Sequence, residues 1–380
     1  MTFKILSEGR AQAVAGAGLP PDAKPLGSGP YQYNKERRTV KDRQAAVFLA
    51  SPGYESREGK LGLPRIREID FVRYTSPADA AKALRDGDID LLLDMSARDA
   101  ADKGWQGDNS FVVSKPMANR RVYFLAVNHR AAPLKGNVAL RQALALAIDR
   151  EKILDTNFRV EKGKPHHSLN GPFPAGSWPC DPDHVPADLH NQSGAKTQAR
   201  LAVEKAGGPI KLTLLYPEGD PATKTALEQL SHDVNEELRS DDKQLIELQL
   251  QELSPKLLRE RVETTHDYQL AYYHYDHPSD AYWLGPLFDI RATDINGSNY
   301  LGYVDSDLSG RLADAKNRRD FSAVRERMRL VHHRLVQEMP LIPLWQLDTF
   351  IAYRKGLKPT AVDPHLIFND VERWTLEPKR

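Results

Sequence analysis

The chain has 380 residues, 40% apolar and 28% charged, with a mean hydropathy of −0.56, the profile of an ordinary folded polypeptide rather than a disordered one. With 53 basic residues against 52 acidic ones it carries no net field to attract nucleic acid or an anionic membrane surface. Its single cysteine, Cys180, excludes an internal disulfide and a cysteine-built metal site.

Length alone predicts two or three folding units, or one large bilobed one. Residues 1–26 are small and polar with prolines at 20, 21 and 25, and read as a connector remnant. This stretch shows no apolar run of the length a signal peptide needs, and no later segment is long and apolar enough to span a bilayer, so no export signal is expected. The basic runs at 35–38 and 316–321 have acidic or apolar neighbours and read as solvated faces.

IREIDFVRY (66–74) alternates like a half-buried strand, PADAAKALRDG (77–87) reads as a short helix, and DIDLLLD (88–94) as a buried strand. RVYFLAVN (121–128) is a further apolar strand, followed by a helix with Asn137 as N-cap and Leu140, Leu144 and Ile148 on one face. Residues 162–195 hold six prolines and little periodicity, and are expected to be a long irregular loop. From 210 the pattern alternates: strand IKLTLLYP, helix ATKTALEQLSHDVNEEL, strand LIELQLQEL, helix SPKLLRERV, strand YQLAYYHY. That alternation predicts a mainly parallel sheet covered by helices. A helix over about 320–339 and the runs PLIPLWQ and FIAYR complete the chain.

The most polar-aromatic stretch, HYDHPSDAYW (274–283), begins at the carboxyl end of the strand over 268–275, where open parallel sheets bind ligands. Side-chain alternation puts His274 and Asp276 on one face and His277 beyond the strand end. A metal site, an acid/base pair, a ligand rim and a plain polar loop all remain open on these residues alone. No HExxH-like spacing, nucleophile elbow or P-loop accompanies them, and no cofactor is called for.

Five motifs in order resemble one family. PLGSGPY (25–31), AVNHRAAPLKGNVALRQALALAIDREKIL (126–154), YDHPSDAYWLGPLF (275–288), NYLGY (299–303) and MPLIPLWQ (339–346) are similar to stretches of the bacterial extracellular solute-binding proteins of family five, the oligopeptide, dipeptide and nickel receptors of ABC importers. The resemblance implies an α/β, bilobed type II periplasmic-binding-protein-like fold, N-terminally truncated because the G-S-G-P-Y stretch of full-length relatives follows a long preceding portion. It implies lobe one over 27–126, lobe two over 127–346 and a return to lobe one over 347–380, with crossings near Asn128 and Trp345 and a ligand between the lobes. It further implies a monomer that captures a short peptide or similar small solute and delivers it to a membrane permease from the periplasm or outer cell surface. A nickel-type metal or chelate receptor is the alternative, and a non-binding vestigial or docking module a third.

Asp276 falls at the family position that pairs with a peptide's α-ammonium group. His277 stands in place of the usual tyrosine and Asp280 in place of a second proline. The resemblance makes Tyr275, His277, Tyr282, Trp283, Asn299, Tyr303 and Trp345 the candidate walls and polar edges of the cleft. The family's aspartate after N-Y-x-G-Y is matched to Ser309, at a helix start.

Overall fold

The computed structural model describes residues 29–40, 43–117, 120–240, 243–278, 280–293, 298–360, 362 and 367–378. The connector expected over 1–26 and most of PLGSGPY lie outside them. Two compact units result, one built from residues up to Met117 and from Phe350 onward, the other ending at Thr349.

In the smaller unit, strands Tyr31–Val40, Arg43–Ala50 and Glu68–Val72 form an antiparallel sheet in chain order. Helix Pro77–Arg85 starts at Ser76, whose hydroxyl accepts from the Asp79 amide. Strand Leu91–Met95 then pairs with Phe350–Arg354, which also pairs with Phe111–Val113. The strand, helix and strand read over 66–94 therefore exist, but the two strands belong to different sheets.

The larger unit contains β1 (Arg121–Val127), α1 (Val138–Ala147), α2 (Arg150–Asn157), α3 (Gln192–Ala206), β2 (Ile210–Pro217) and α4 (Pro221–Glu237). It continues with β3 (Ile246–Leu253), β4 (Leu270–Asp276), α5 (Ser306–Lys316), α6 (Phe321–Glu338) and β5 (Leu341–Gln346). The strands form one sheet in the order β3-β2-β4-β1-β5, closed by the two-residue strand His167–Ser168.

Strands β3, β2 and β4 are parallel, as their helical crossovers require, but β1 runs antiparallel to both β4 and β5. The sheet is mixed rather than mainly parallel, because β1 lies far from its partners in sequence and no short crossover dictates its direction. Its residues explain its central place: Leu125 and Val127 enter the core under α1, α2 and α4, while Val122, Phe124 and Ala126 enter the core on the opposite face. A strand buried on both faces reads as a continuous apolar run. The change of unit expected at 126/127 consequently falls at 117/118, and the return expected at 347 falls at 349/350.

Local expectations rest on observable contacts. The Asn137 side chain accepts from the Leu140 amide, and Leu140, Leu144 and Ile148 are at most 1% exposed. The motif arginine Arg150 is fully buried, its guanidinium donating to the carbonyls of Pro343, Ala145 and Ile148. It ties the α1/α2 corner to β5, which makes this part of the fingerprint scaffold. Helix α5 is capped by Asp305, which accepts from the Asp307 and Leu308 amides. Ser309 sits inside the first turn with its hydroxyl donating to the Asp305 carbonyl, so Asp305 occupies the capping role matched to Ser309 by sequence.

Candidate functional site

Strand β4 ends at the carboxyl edge of the three parallel strands with Asp276, and antiparallel pairing sets Asp276 opposite Arg121, the first residue of β1. Arg121 grips both carboxylate oxygens, Nε to Oδ1 at 2.6 Å and Nη2 to Oδ2 at 3.0 Å. The pair is only part-covered, Asp276 remaining 56% exposed and Arg121 33%. Burial pushes the Asp276 carboxyl up, but hydrogen bonds and charge from Arg121 outweigh it and hold the group below its ordinary value. Asp276 is thus an ionised, solvent-facing acceptor.

Two residues back on the same face, His274 Nε2 lies 3.8 Å from Asp276 Oδ2. Burial, reinforced by the Arg121 charge, lowers the His274 pKa to about 4, so the ring is neutral near pH 7. Below it, Tyr123 stacks on Tyr272 at 5.4 Å with rings 9° apart. Trp345 Nε1 donates to the Tyr272 hydroxyl at 3.2 Å. The edge therefore presents a carboxylate, a guanidinium and a neutral imidazole above an aromatic floor. That set can accept from a ligand cation and pack an apolar group beside it.

The other candidates lie elsewhere, for reasons of strand alternation. Tyr275 points to the opposite sheet face, where its hydroxyl donates to the Trp283 carbonyl and its ring meets His277 edge-on at 4.9 Å. His277 is 3% exposed, its Nε2 2.9 Å from the Pro172 carbonyl, and Tyr282 packs on it at 5.3 Å. Arg120 clasps Asp280 at 2.7 Å and Trp178 Nε1 donates to the Asp280 carbonyl, closing this loop onto the long irregular segment.

Asn299 is fully buried, donating to the Tyr303 and Asp289 carbonyls and accepting from the Gly302 amide. Tyr303 is 8% exposed, stacks edge-on against His129 and donates to Asp305. Both sit near the start of β4, roughly 20 Å from Asp276 at ~3.3 Å per residue, and their contacts close a turn. Trp345 shares the Asp276 face but is fully buried beneath Tyr272. Of the sequence-derived set, then, only Asp276 is both exposed and ionised, with Tyr275, Tyr282 and Trp283 half-buried behind the sheet.

Arg121 and Tyr123 were not singled out by sequence reading. Their signal is faint: a polar residue and a tyrosine at alternate positions opening an otherwise apolar strand. The adjacent histidines His166 and His167 are committed to Asp348, whose carboxylate accepts from the His166 amide and lies 3.5 Å from His167 Nε2. Among the described residues no group of three or more His, Cys, Asp or Glu side chains is arranged to hold a metal, and no helix among them is long and apolar enough to cross a membrane.

The family described as bacterial extracellular solute-binding proteins, family 5 Middle, matches residues 2–291. Di/tripeptide-binding protein 1 of Pseudomonas aeruginosa is 22% identical over 369 residues, which are 95% of this chain and 62% of that protein; the chain spans less than two thirds of this relative's length. The oligopeptide-binding protein AppA of Bacillus subtilis, solved with a nonapeptide, superposes with a TM-score of 0.74 at 20% identity, over 93% of this chain and 67% of that one. DppA of Helicobacter pylori, in complex with the peptide STSA, gives 0.77 at 16% identity over 98% and 68%. NikA of Staphylococcus aureus, holding Ni(L-His)2, gives 0.74 at 17% identity over 95% and 71%. At these identities the superpositions report the shared bilobed periplasmic-binding-protein fold alone.

Proposed function

The chain belongs to the bacterial extracellular solute-binding proteins of family 5, and on that premise we propose that it captures a short peptide or related small solute and delivers it to a membrane permease of an ABC importer. The family is one of substrate-binding receptors, and the action proposed is reversible binding without covalent chemistry. The periplasm or outer cell surface is the compartment in which it would act. The observation that carries the reading is Asp276, an ionised, half-exposed carboxylate on the carboxyl edge of a parallel strand set, above the Tyr123 and Tyr272 rings.

A carboxylate offers roughly four acceptor sites and Arg121 occupies two, so a ligand ammonium has the outer lone pairs left to it. Desolvating that ammonium against a partner already paired gives a modest affinity and a clear preference for charged over capped amines. Calorimetric titration of free-amine and N-acetylated di- and tripeptides into the wild type and Asp276→Ala tests it. The variant should weaken free-amine peptides at least tenfold more than acetylated ones. Equal losses for both would refute ammonium recognition, and absence of any peptide binding would refute peptide capture. Stoichiometric nickel or zinc binding that disappears when His274 and His277 are replaced would replace the reading with a metal receptor.

A further inference from the structure

The smaller unit holds a cavity of about 590 Å³, within the ~300–1,000 Å³ span of small-molecule sites, and every described residue lining it belongs to that unit. It runs between strands Glu68–Val72 and Leu91–Met95, which belong to different sheets. Consecutive residues of each strand line it, Asp70 with Phe71 and Leu93 with Asp94, so it lies along the strands' margins rather than on one sheet face.

Its floor is a core left open. Ile66, Ile69, Leu91 and Leu93 pack against the buried cluster that includes Ile351, Leu357 and Trp374, yet they stay only part-buried and line the cavity. One wall is aromatic and within reach of solvent. Phe71 and Phe368 are 42% and 36% exposed with ring centroids 5.4 Å apart, and Phe368 stacks on Trp374 at 5.6 Å with the rings 23° apart.

The charged lining is acidic. Glu68, Asp70, Asp88, Asp90 and Asp94 line the cavity, each of them exposed or part-exposed, and among the described residues no lysine or arginine does. Two guanidinium groups stand at its border. Arg354 Nε donates to Asp90 Oδ1 at 2.9 Å, and Arg43 lies over the Tyr74 ring at 4.7 Å. Five carboxylates against these two cations leave the described lining net negative.

We propose that this cavity is a second ligand site, independent of the Asp276 edge, which takes an organic cation carrying an apolar body. The body covers the open core, and the positive centre lies beside the Phe71 and Phe368 rings within the field of the carboxylates. Aromatic rings and carboxylates both attract a cation, so an anion of the same shape is rejected. Apolar area removed from water favours the bulky cation over a bare ammonium.

The test is a calorimetric titration of the full chain with tetraphenylphosphonium, its anionic isostere tetraphenylborate, and tetramethylammonium. Tetraphenylphosphonium should bind the wild type at one site, at least tenfold more tightly than either of the others. Glu68→Gln combined with Asp94→Asn, two exposed positions, should weaken it at least fivefold, and Phe71→Ala at least threefold. Hydrogen exchange with tetraphenylphosphonium present should show protection over 66–94 and 367–376. No binding, tetraphenylborate or tetramethylammonium binding as tightly, an undiminished affinity in both variants, or protection confined to 120–276 would each overturn the assignment. The wild-type comparison of the three ions needs no variant to fold. Failure of peptide capture at Asp276 leaves every one of these readouts unaffected.

Discussion

Replacing Arg121 by glutamine removes the partner of Asp276 while keeping a polar stem at the start of β1. Fully buried, a bidentate charged pair would be worth several kcal/mol; exposed pairs measure ~0.2–1 kcal/mol. With Asp276 more than half exposed and Arg121 one third exposed, solvent screening places the loss at about 1 kcal/mol, near the top of the exposed range. For a folding unit of this size, that lowers the melting temperature by about 2–4 °C, followed by circular dichroism. The sign with pH follows from the carboxyl. Arg121 holds the Asp276 value below that of the unfolded chain, so the contribution is complete above an unfolded value of about 4 and is lost as pH falls through the folded one. The gap between wild type and Arg121→Gln should therefore stay constant from pH 8 to 5 and close in stronger acid. A gap that persists unchanged at pH 3 would show that packing of the arginine stem, not charge, holds the edge. A loss above about 3 kcal/mol would show a pair behaving as if buried.

Arg150→Leu should cost roughly 3 kcal/mol or more in a urea melt, because three buried carbonyls lose their donor, whereas Arg121→Lys at the exposed edge should cost only a fraction of that. Burial depresses the His332 pKa to about 4 while the unfolded ring titrates near 6.5, so protons bind the unfolded chain first and stability falls as pH drops from about 6.5 to 4. His332→Asn, which can still accept from the Asp181 amide, should flatten that acid slope by up to ~1.4 kcal/mol per pH unit; an unchanged slope would refute the titration. Asn299→Ala should destabilise by about 2–3 kcal/mol through its three buried hydrogen bonds yet leave peptide affinity within twofold at a temperature where it is folded. A tenfold loss of peptide affinity there would restore Asn299 to the binding site.

Sequence alone determined what depends on neighbours a few residues apart. Asn137 could be read as a cap because its oxygen needs only the amide three residues on, and Leu140, Leu144 and Ile148 as a buried face because helical geometry repeats every turn. His274 and Asp276 could be placed on one face, with His277 off it, because strand side chains alternate. The ordered motifs carried the family and with it the fold.

Tertiary structure decided everything that hangs on which strand lies beside which. The alternation that predicted parallel strands over 210–276 held no information about β1, whose antiparallel register puts Arg121 against Asp276 across 155 residues. The same pairing splits the candidate residues between two faces and two ends of one strand. It buries Trp345 under Tyr272 and turns Asn299 and Tyr303 into a closed corner, although all stand in recognisable motifs. Backbone hydrogen bonding accepts any strand as a partner, so side-chain burial against the rest of the chain chooses among them. That choice leaves Asp276 as an exposed charge with a fixed companion, while His277, Asn299, Tyr303 and Trp345 are taken up in packing.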